Sequence, residues 1–180
     1  MALEVTGETP VERRADRTTG RAVAAPRWVT MSLIALAVLS VDQATKAMVR
    51  AALEPGQGVD AVGPYSIFHV NNPGVAGGGL AGNALPLAVL STIGVMLLFE
   101  FLSLRSRARV WLALGFGLLV GGGLGNLVDR ARFGWVTDFI RNGDHAFNVA
   151  DVAIFAGGII VLVGLIAGRL RPVHPTSSGA

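Results

Sequence analysis

Two carboxyl groups held a few ångströms apart can hydrolyse an amide without serine, cysteine or metal. Two like charges that close do not both ionise cheaply, so the pair shares one proton. The ionised partner takes a proton from water while the protonated one polarises the carbonyl under attack. This chain offers three carboxylates for that chemistry within a short stretch, Asp129, Asp138 and Asp151, and spacing alone does not choose the pair. Asn126 and Asp129 are three residues apart, as are Asn148 and Asp151, so each couple shares a helix face. Asp42 and Lys46 are four apart in the favourable acid-first order. That spacing suits a plain interfacial ion pair as well as part of a site, and Asp129-Arg130 can be read as a helix end with a snorkelling arginine. Asp144 beside His145 reads as a solvated loop, and His69 and His174 receive no role.

Composition narrows the chemistry further. None of the 180 residues is Cys, which removes disulfides, thiolate nucleophiles and cysteine zinc sites. The three histidines form no metal-binding spacing such as H-E-x-x-H, so no metal site is expected. Hydrophobic residues make up 52% and charged residues 15%, well below the roughly 25% charge of soluble domains. Fourteen of the 15 basic residues are Arg, placed at the ends of apolar runs rather than along a stripe with aromatics. That distribution excludes nucleic acid as a partner and suits membrane lipid.

Four elements must position the polar residues. Apolar runs cover Trp28 to about Val49, Ala84 to Leu104, Val110 to Val128 and Val149 to Gly168. At about 1.5 Å per residue each is about 28–33 Å long, enough to cross a bilayer core. The backbone must satisfy itself in lipid, so the runs are expected to be helices. Basic residues set the orientation: Arg21 and Arg27, then Arg105, Arg107 and Arg109, then Arg169 and Arg171 all fall on one side. That side is expected to be cytoplasmic, with both termini inside. An N-terminal Arg13-Arg14 pair is followed by Ala15-Asp16 and lacks the flanks of an export signal. The outer connections are 50–83, with a short strand at Tyr65–Val70 and a turn at Asn71–Gly74, and 129–148, read as a polar loop carrying Asp138. Gly117, Gly121 and Gly125 fall four apart, a spacing that lets helices approach closely. With Glu100 the exception, the acids in or beside helices gather at the outer level, where ionisable groups are functional candidates.

At these residues the chain resembles the lipoprotein signal peptidases, signal peptidase II of bacteria. The matching blocks are VDQATK (Val41 to Lys46), NNPG (Asn71 to Gly74), GGGLGNLVDR (Gly121 to Arg130), VTDFI (Val136 to Ile140) and FNVAD (Phe147 to Asp151), in family order. The resemblance implies a membrane aspartic endopeptidase of the cytoplasmic (cell) membrane, with its site at the outer face and no cofactor. Its substrate would be a diacylglyceryl-modified prolipoprotein, cut just before the lipidated Cys of the lipobox. The family's dyad maps onto Asp138 and Asp151. Asp42, Lys46, Asn72, Gly74, Asn126, Asp129, Arg130 and Asn148 map onto positions that bind substrate or support the site. Pro73 replaces a small polar residue of the family loop, and the aromatic that usually follows is missing from Val75–Gly78. Only 12 residues separate Asp138 from Asp151, so a tight turn near Asn142-Gly143 is expected.

The expected fold is therefore an all-α membrane protein. Four transmembrane helices (28–170) carry a small extracytoplasmic β element in the loop between helices one and two, with disordered cytoplasmic tails at 1–27 and 171–180. The oligomeric state is left open, with a monomer as the expectation. The competing class is a small four-helix transporter or scaffold using outer-leaflet acids as a proton relay. A relay would spread its acids through the membrane depth, and here they cluster at one level.

Overall fold

The computed structural model describes residues 26–74, 84–105 and 110–169. The expected tails, apart from Pro26 and Arg27, lie outside the described residues. So do the Val75–Gly78 stretch and Arg107 and Arg109 of the short turn.

The described residues form four helices and four strands, the strands falling in two pairs. They are α1 (Arg27–Ala52), β1 (Gly58–Asp60), β2 (Tyr65–Asn72), α2 (Ala84–Arg105), α3 (Val110–Phe133), β3 (Val136–Asn142), β4 (His145–Phe147) and α4 (Val149–Arg169). Among the described residues, three helices are long and apolar enough to cross a membrane: Arg27–Ala52, Trp111–Phe133 and Val149–Ala167. The described apolar stretch of α2 is the shorter Ala88–Phe99. Outward-facing side chains such as Leu33, Leu36, Phe155, Leu162 and Ile166 are exposed, a surface made for hydrocarbon rather than water.

The central helix is α3, which packs against the other three helices. Its small residues make that possible. A Cβ added at Gly121 would stand 2.7 Å from the Ala35 carbonyl oxygen of α1, and one at Gly122 would stand 2.5 Å from that of Ala150 on α4. At Gly125 the obstruction would be the Asp42 carboxylate itself, 2.5 Å away. The glycine spacing is thus a packing device, as the sequence suggests, and at Gly125 it also admits a charged group. Below it, Phe99, Leu112, Phe116 and Val161 form the buried apolar cluster, with Phe99 and Phe116 edge to face at 5.3 Å.

The sheet corrects the sequence reading in two ways. Its order is β1-β2-β3-β4, all antiparallel, so the second connection supplies half of it. Asp138 is therefore a strand residue opposite Val70, not a loop residue. Val136–Asn142 reads Val-Thr-Asp-Phe-Ile-Arg-Asn, which does not alternate apolar and polar residues, so no period-two signal marks it as a strand. The α3 helix also runs past Val128 to Phe133, so Asp129 and Arg130 lie inside its last turns. Hydropathy ends at Val128, but arginines favour a helix C-terminus, and the helix stops only at Gly134. Gly134 has φ +82° and donates its N–H to the Arg130 carbonyl at 3.0 Å. The tight turn expected near Asn142-Gly143 is present: Asn142 pairs with His145, and Gly143 takes φ +59°.

If α1 and α3 depend on this close approach, Gly121→Leu should lower the melting temperature in detergent, by overpacking worth about 1–3 kcal/mol. Gly94→Ala, where no atom lies within 4 Å of the added Cβ, should leave it unchanged or slightly raised. Equal melting of all three proteins would show that the helices are not in contact at Gly121.

Candidate active site

The site grows from a buried cation. Lys46 on α1 is 0% exposed, as are Asp42 and Asp129. Its Nζ lies 2.8 Å from Asp42 Oδ2 and 3.6 Å from Asp129 Oδ2, and donates to Asn126 Oδ1 at 2.8 Å. An ammonium has donors only, so Asn126 must turn its oxygen to it. The amide nitrogen of Asn126 then points the other way and donates to Asp151 Oδ1 at 2.8 Å.

The start of α4 sets the second set of contacts. Asn148 accepts the Asp151 N–H at 3.0 Å on its side-chain oxygen, while its own N–H donates to Asp151 Oδ2 at 3.1 Å. This reciprocal pair is a capping box built from Asn and Asp. With its oxygen committed to the cap, Asn148 directs its Nδ2 outward, to Asp138 Oδ1 at 2.6 Å and Asn126 Oδ1 at 3.2 Å. The Ala150 N–H, free of an intrahelical partner, donates to Asp42 Oδ1 from α1 at 2.9 Å. Asn148 thus touches both candidate carboxylates, one through its side chain and the other through its main chain.

Asp138 arrives on β3 and is 2% exposed. Its Oδ2 accepts from Asn72 Nδ2 at 2.9 Å, and the Asn72 oxygen is held by the Gly74 N–H at 3.0 Å. Burial pushes its pKa up to about 6. The amide of Asn72 works against this shift, and the negative charge of Asp151 adds to it. The two carboxyls, Asn72, Asn126 and Arg130 line a cavity of about 350 Å³, with Val136, Ile154 and Phe155 as its apolar wall.

Asp129 lies beneath this cavity, not in its lining. Its Oδ2 accepts the Thr137 N–H at 2.9 Å, tying β3 to the end of α3. Arg130 NH2 donates to the Gly74 carbonyl at 2.7 Å, fixing the end of the asparagine segment. All ten residues singled out by sequence therefore meet at one end of the helices. Three partners escaped the sequence reading. Gln43 Nε2 bridges the Gly125 carbonyl and Asp129 Oδ1 at 3.1 and 3.2 Å. Arg50 lies 3.6 Å from Asp129 and donates to Thr137 Oγ1 at 2.9 Å. The signal was available: Asp42, Lys46 and Arg50 repeat every four residues, one stripe along α1. His69 has a structural part, its Nδ1 2.8 Å from the Leu53 carbonyl. Among the described residues, no cluster of His, Asp or Glu is placed to hold a metal.

Known proteins resemble the chain over most of its length. The sequence profile of the signal peptidase (SPase) II family matches residues 34–167. A lipoprotein signal peptidase of Moorella thermoacetica is 40% identical over 134 residues, 72% of this chain and 87% of that protein. Another, from Desulforapulum autotrophicum, is 33% identical over 154 residues, 79% of this chain and 94% of its own. A bacterial membrane enzyme solved by the in meso method at 2.3 Å resolution shares the fold. It has a TM-score of 0.72 at 26% identity, over 81% of this chain and 92% of that one.

The raised pKa of Asp138 has a consequence for stability. A carboxyl that prefers its proton when folded contributes stability fully below pH 4, and loses it as pH rises through about 6. Asp138→Asn carries no such loss. Between pH 4 and pH 8 its melting temperature should therefore gain on the parent's by several degrees, the equivalent of at most about 3 kcal/mol. Parallel melting curves across that range would refute the shift.

Proposed function

The chain belongs to the signal peptidase II family, and on that footing we propose that it is a membrane aspartic endopeptidase. It removes the signal peptide from diacylglyceryl-modified prolipoproteins, cutting just before the lipidated Cys. Asp138 and Asp151 are its catalytic pair. The observation that carries this assignment is the double contact of Asn148, whose Nδ2 reaches Asp138 and whose main-chain N–H reaches Asp151.

Asp138, buried and held up in pKa, keeps the shared proton and gives it to the oxygen of the scissile carbonyl. Asp151 accepts two N–H donors and takes a proton from the attacking water. The water oxygen bonds to the carbonyl carbon and forms a tetrahedral diol. On collapse, Asp151 returns its proton to the leaving nitrogen and Asp138 recovers one from the diol. Each turnover restores the single shared proton. Asp42, Lys46, Asn72, Gly74, Asn126, Asp129, Arg130 and Asn148 bind substrate or hold the pair in register. No cofactor takes part.

We further infer four membrane spans, α2 included, in the cell membrane, with both termini cytoplasmic and the site at the outer face. The support is the placement of Arg27, Arg105 to Arg109, and Arg169 with Arg171. Reporter fusions at Arg107 and Gly143 should report opposite sides, and same-side signals would overturn this orientation.

The chemistry is tested with lipidated prolipoprotein and purified protein in detergent. Asp138→Asn and Asp151→Asn should each lose nearly all turnover while inserting normally, and the double variant should be little worse than either single one. Alanine at the supporting positions should lower turnover to varying degrees. Substantial cleavage by either well-inserted single variant would refute the pair.

A further inference from the structure

The β4 strand lies at the edge of the sheet, with no strand on its outer side among the described residues. The loop that leads into it is Gly143-Asp144, so Asn142 and His145 close the hairpin. The closing pair of a two-residue hairpin exchanges both main-chain hydrogen bonds, and the next pair exchanges none. That next pair is Arg141 and Ala146. The Arg141 main chain turns instead to its partner Ser66 on β2. The N–H and C=O of Ala146 turn to the open edge.

This edge borders the site. Ala146 lines the cavity of about 350 Å³ that holds Asp138 and Asp151, and it also lines a second of about 280 Å³. Asn72 and Asp138 are shared by both cavities. Cross-strand partners share a face, so the Ala146 side chain lies with Arg141 and away from the Asp138 face. Its main chain is then what borders the cavities. The two spaces differ in character: the first has Ile154 and Phe155 in its wall, the second Asn71, Asp144 and His145.

We propose that the Ala146 main chain is a substrate-binding group. An extended segment of the prolipoprotein adds to the edge of β4, exchanges hydrogen bonds with the Ala146 N–H and C=O, and passes Asp138 from one cavity to the other. The inference rests on the peptidase reading. A peptide entering this site gives up water on its own N–H and C=O groups, and an open strand edge replaces those bonds. Main-chain pairing fixes the register of the peptide without reading its side chains. Asp138 stands three residues along β3 from Arg141, the partner of Ala146. At about 3.4 Å per residue, the paired substrate residue is roughly three residues from the scissile bond.

The test compares Ala146→Pro with Ala146→Val on a diacylglyceryl-modified lipobox peptide that spans the cut. Proline removes an N–H that β3 does not use, and an edge strand tolerates it. Valine adds similar bulk and keeps the N–H. Loss of one hydrogen bond from the bound peptide should leave kcat/KM of Ala146→Pro about tenfold below that of Ala146→Val, with melting temperatures matched. Equal activity of both variants, or equal loss in both, overturns the pairing. A second measurement needs no variant. Single N-methyl groups are walked along the peptide and offered to the parent enzyme. One position, about three residues from the cut, should block cleavage while its neighbours do not. Uniform loss or no loss overturns the proposal. A parent that cleaves none of the peptides removes the peptidase reading and this inference together, whereas a parent that cleaves every one removes the inference alone.

Discussion

The structure turns on one ammonium group with no access to water. Burying a lysine costs several kcal/mol unless its charge and its three donors are all met. Lys46 is met by Asp42, Asn126 and Asp129, which come from two helices. The requirement is reciprocal, because Asp42 and Asp129 are also fully buried. Removing the ammonium would strip Asp42 of its ion pair and leave Asp129 with the partly exposed Arg50, 3.6 Å away. Asp42 extends the obligation to α4 through the Ala150 N–H, and Asp129 extends it to β3 through the Thr137 N–H. One buried charge thus fixes how three helices and the sheet meet. Little of this network is a net source of stability; it selects one arrangement, because every alternative leaves a buried charge unmatched.

Such a cluster demands close backbones, which explains the glycines of α3. Gly121 and Gly122 bring α1 and α4 to backbone contact with the central helix, and Gly125 leaves room for the Asp42 carboxylate. A larger residue at Gly125 would collide with the very group that neutralises Lys46. Helix packing and charge burial are therefore the same constraint seen at two depths.

Much of this was legible in the sequence because lipid simplifies the problem. Spans of apolar residues can only be helices, and an ionisable residue at their ends must have a partner. Nine of the ten site residues could be placed at one level from depth and spacing alone, and the resemblance added Gly74 and singled out Asp138 and Asp151. The sheet was less legible. Its β3 strand is held by pairing to β2, across 66 residues between Asn72 and Asp138, and no local pattern reports a partner that far away. The true end of α3 was hidden for a different reason. Hydropathy marks where lipid stops, whereas Gly134 marks where the helix stops, and Asp129 and Arg130 fall between the two. Gln43 and Arg50 went unnoticed because a polar side chain at a membrane surface is ordinary until its buried neighbours are known.

The choice of asparagine around the two acids suits what they do in the proposed mechanism. In the proposed cycle each carboxyl passes between neutral and ionised forms, so its neighbours must accommodate both. A cation in direct contact would hold both carboxyls ionised and abolish the shared proton. A free amide would create the opposite fault, since it could rotate and offer its oxygen to a protonated carboxyl, trapping the proton there. Each of the three amides here is prevented from rotating by a donor that cannot reverse. The Asn126 oxygen faces the Lys46 ammonium, the Asn148 oxygen faces the Asp151 N–H, and the Asn72 oxygen faces the Gly74 N–H. Every amide nitrogen is left pointing at a carboxyl oxygen, which accepts in either protonation state. The positive charge that the fold requires is thereby kept one residue away from the chemistry, close enough to orient Asn126 and separated by it from Asp151.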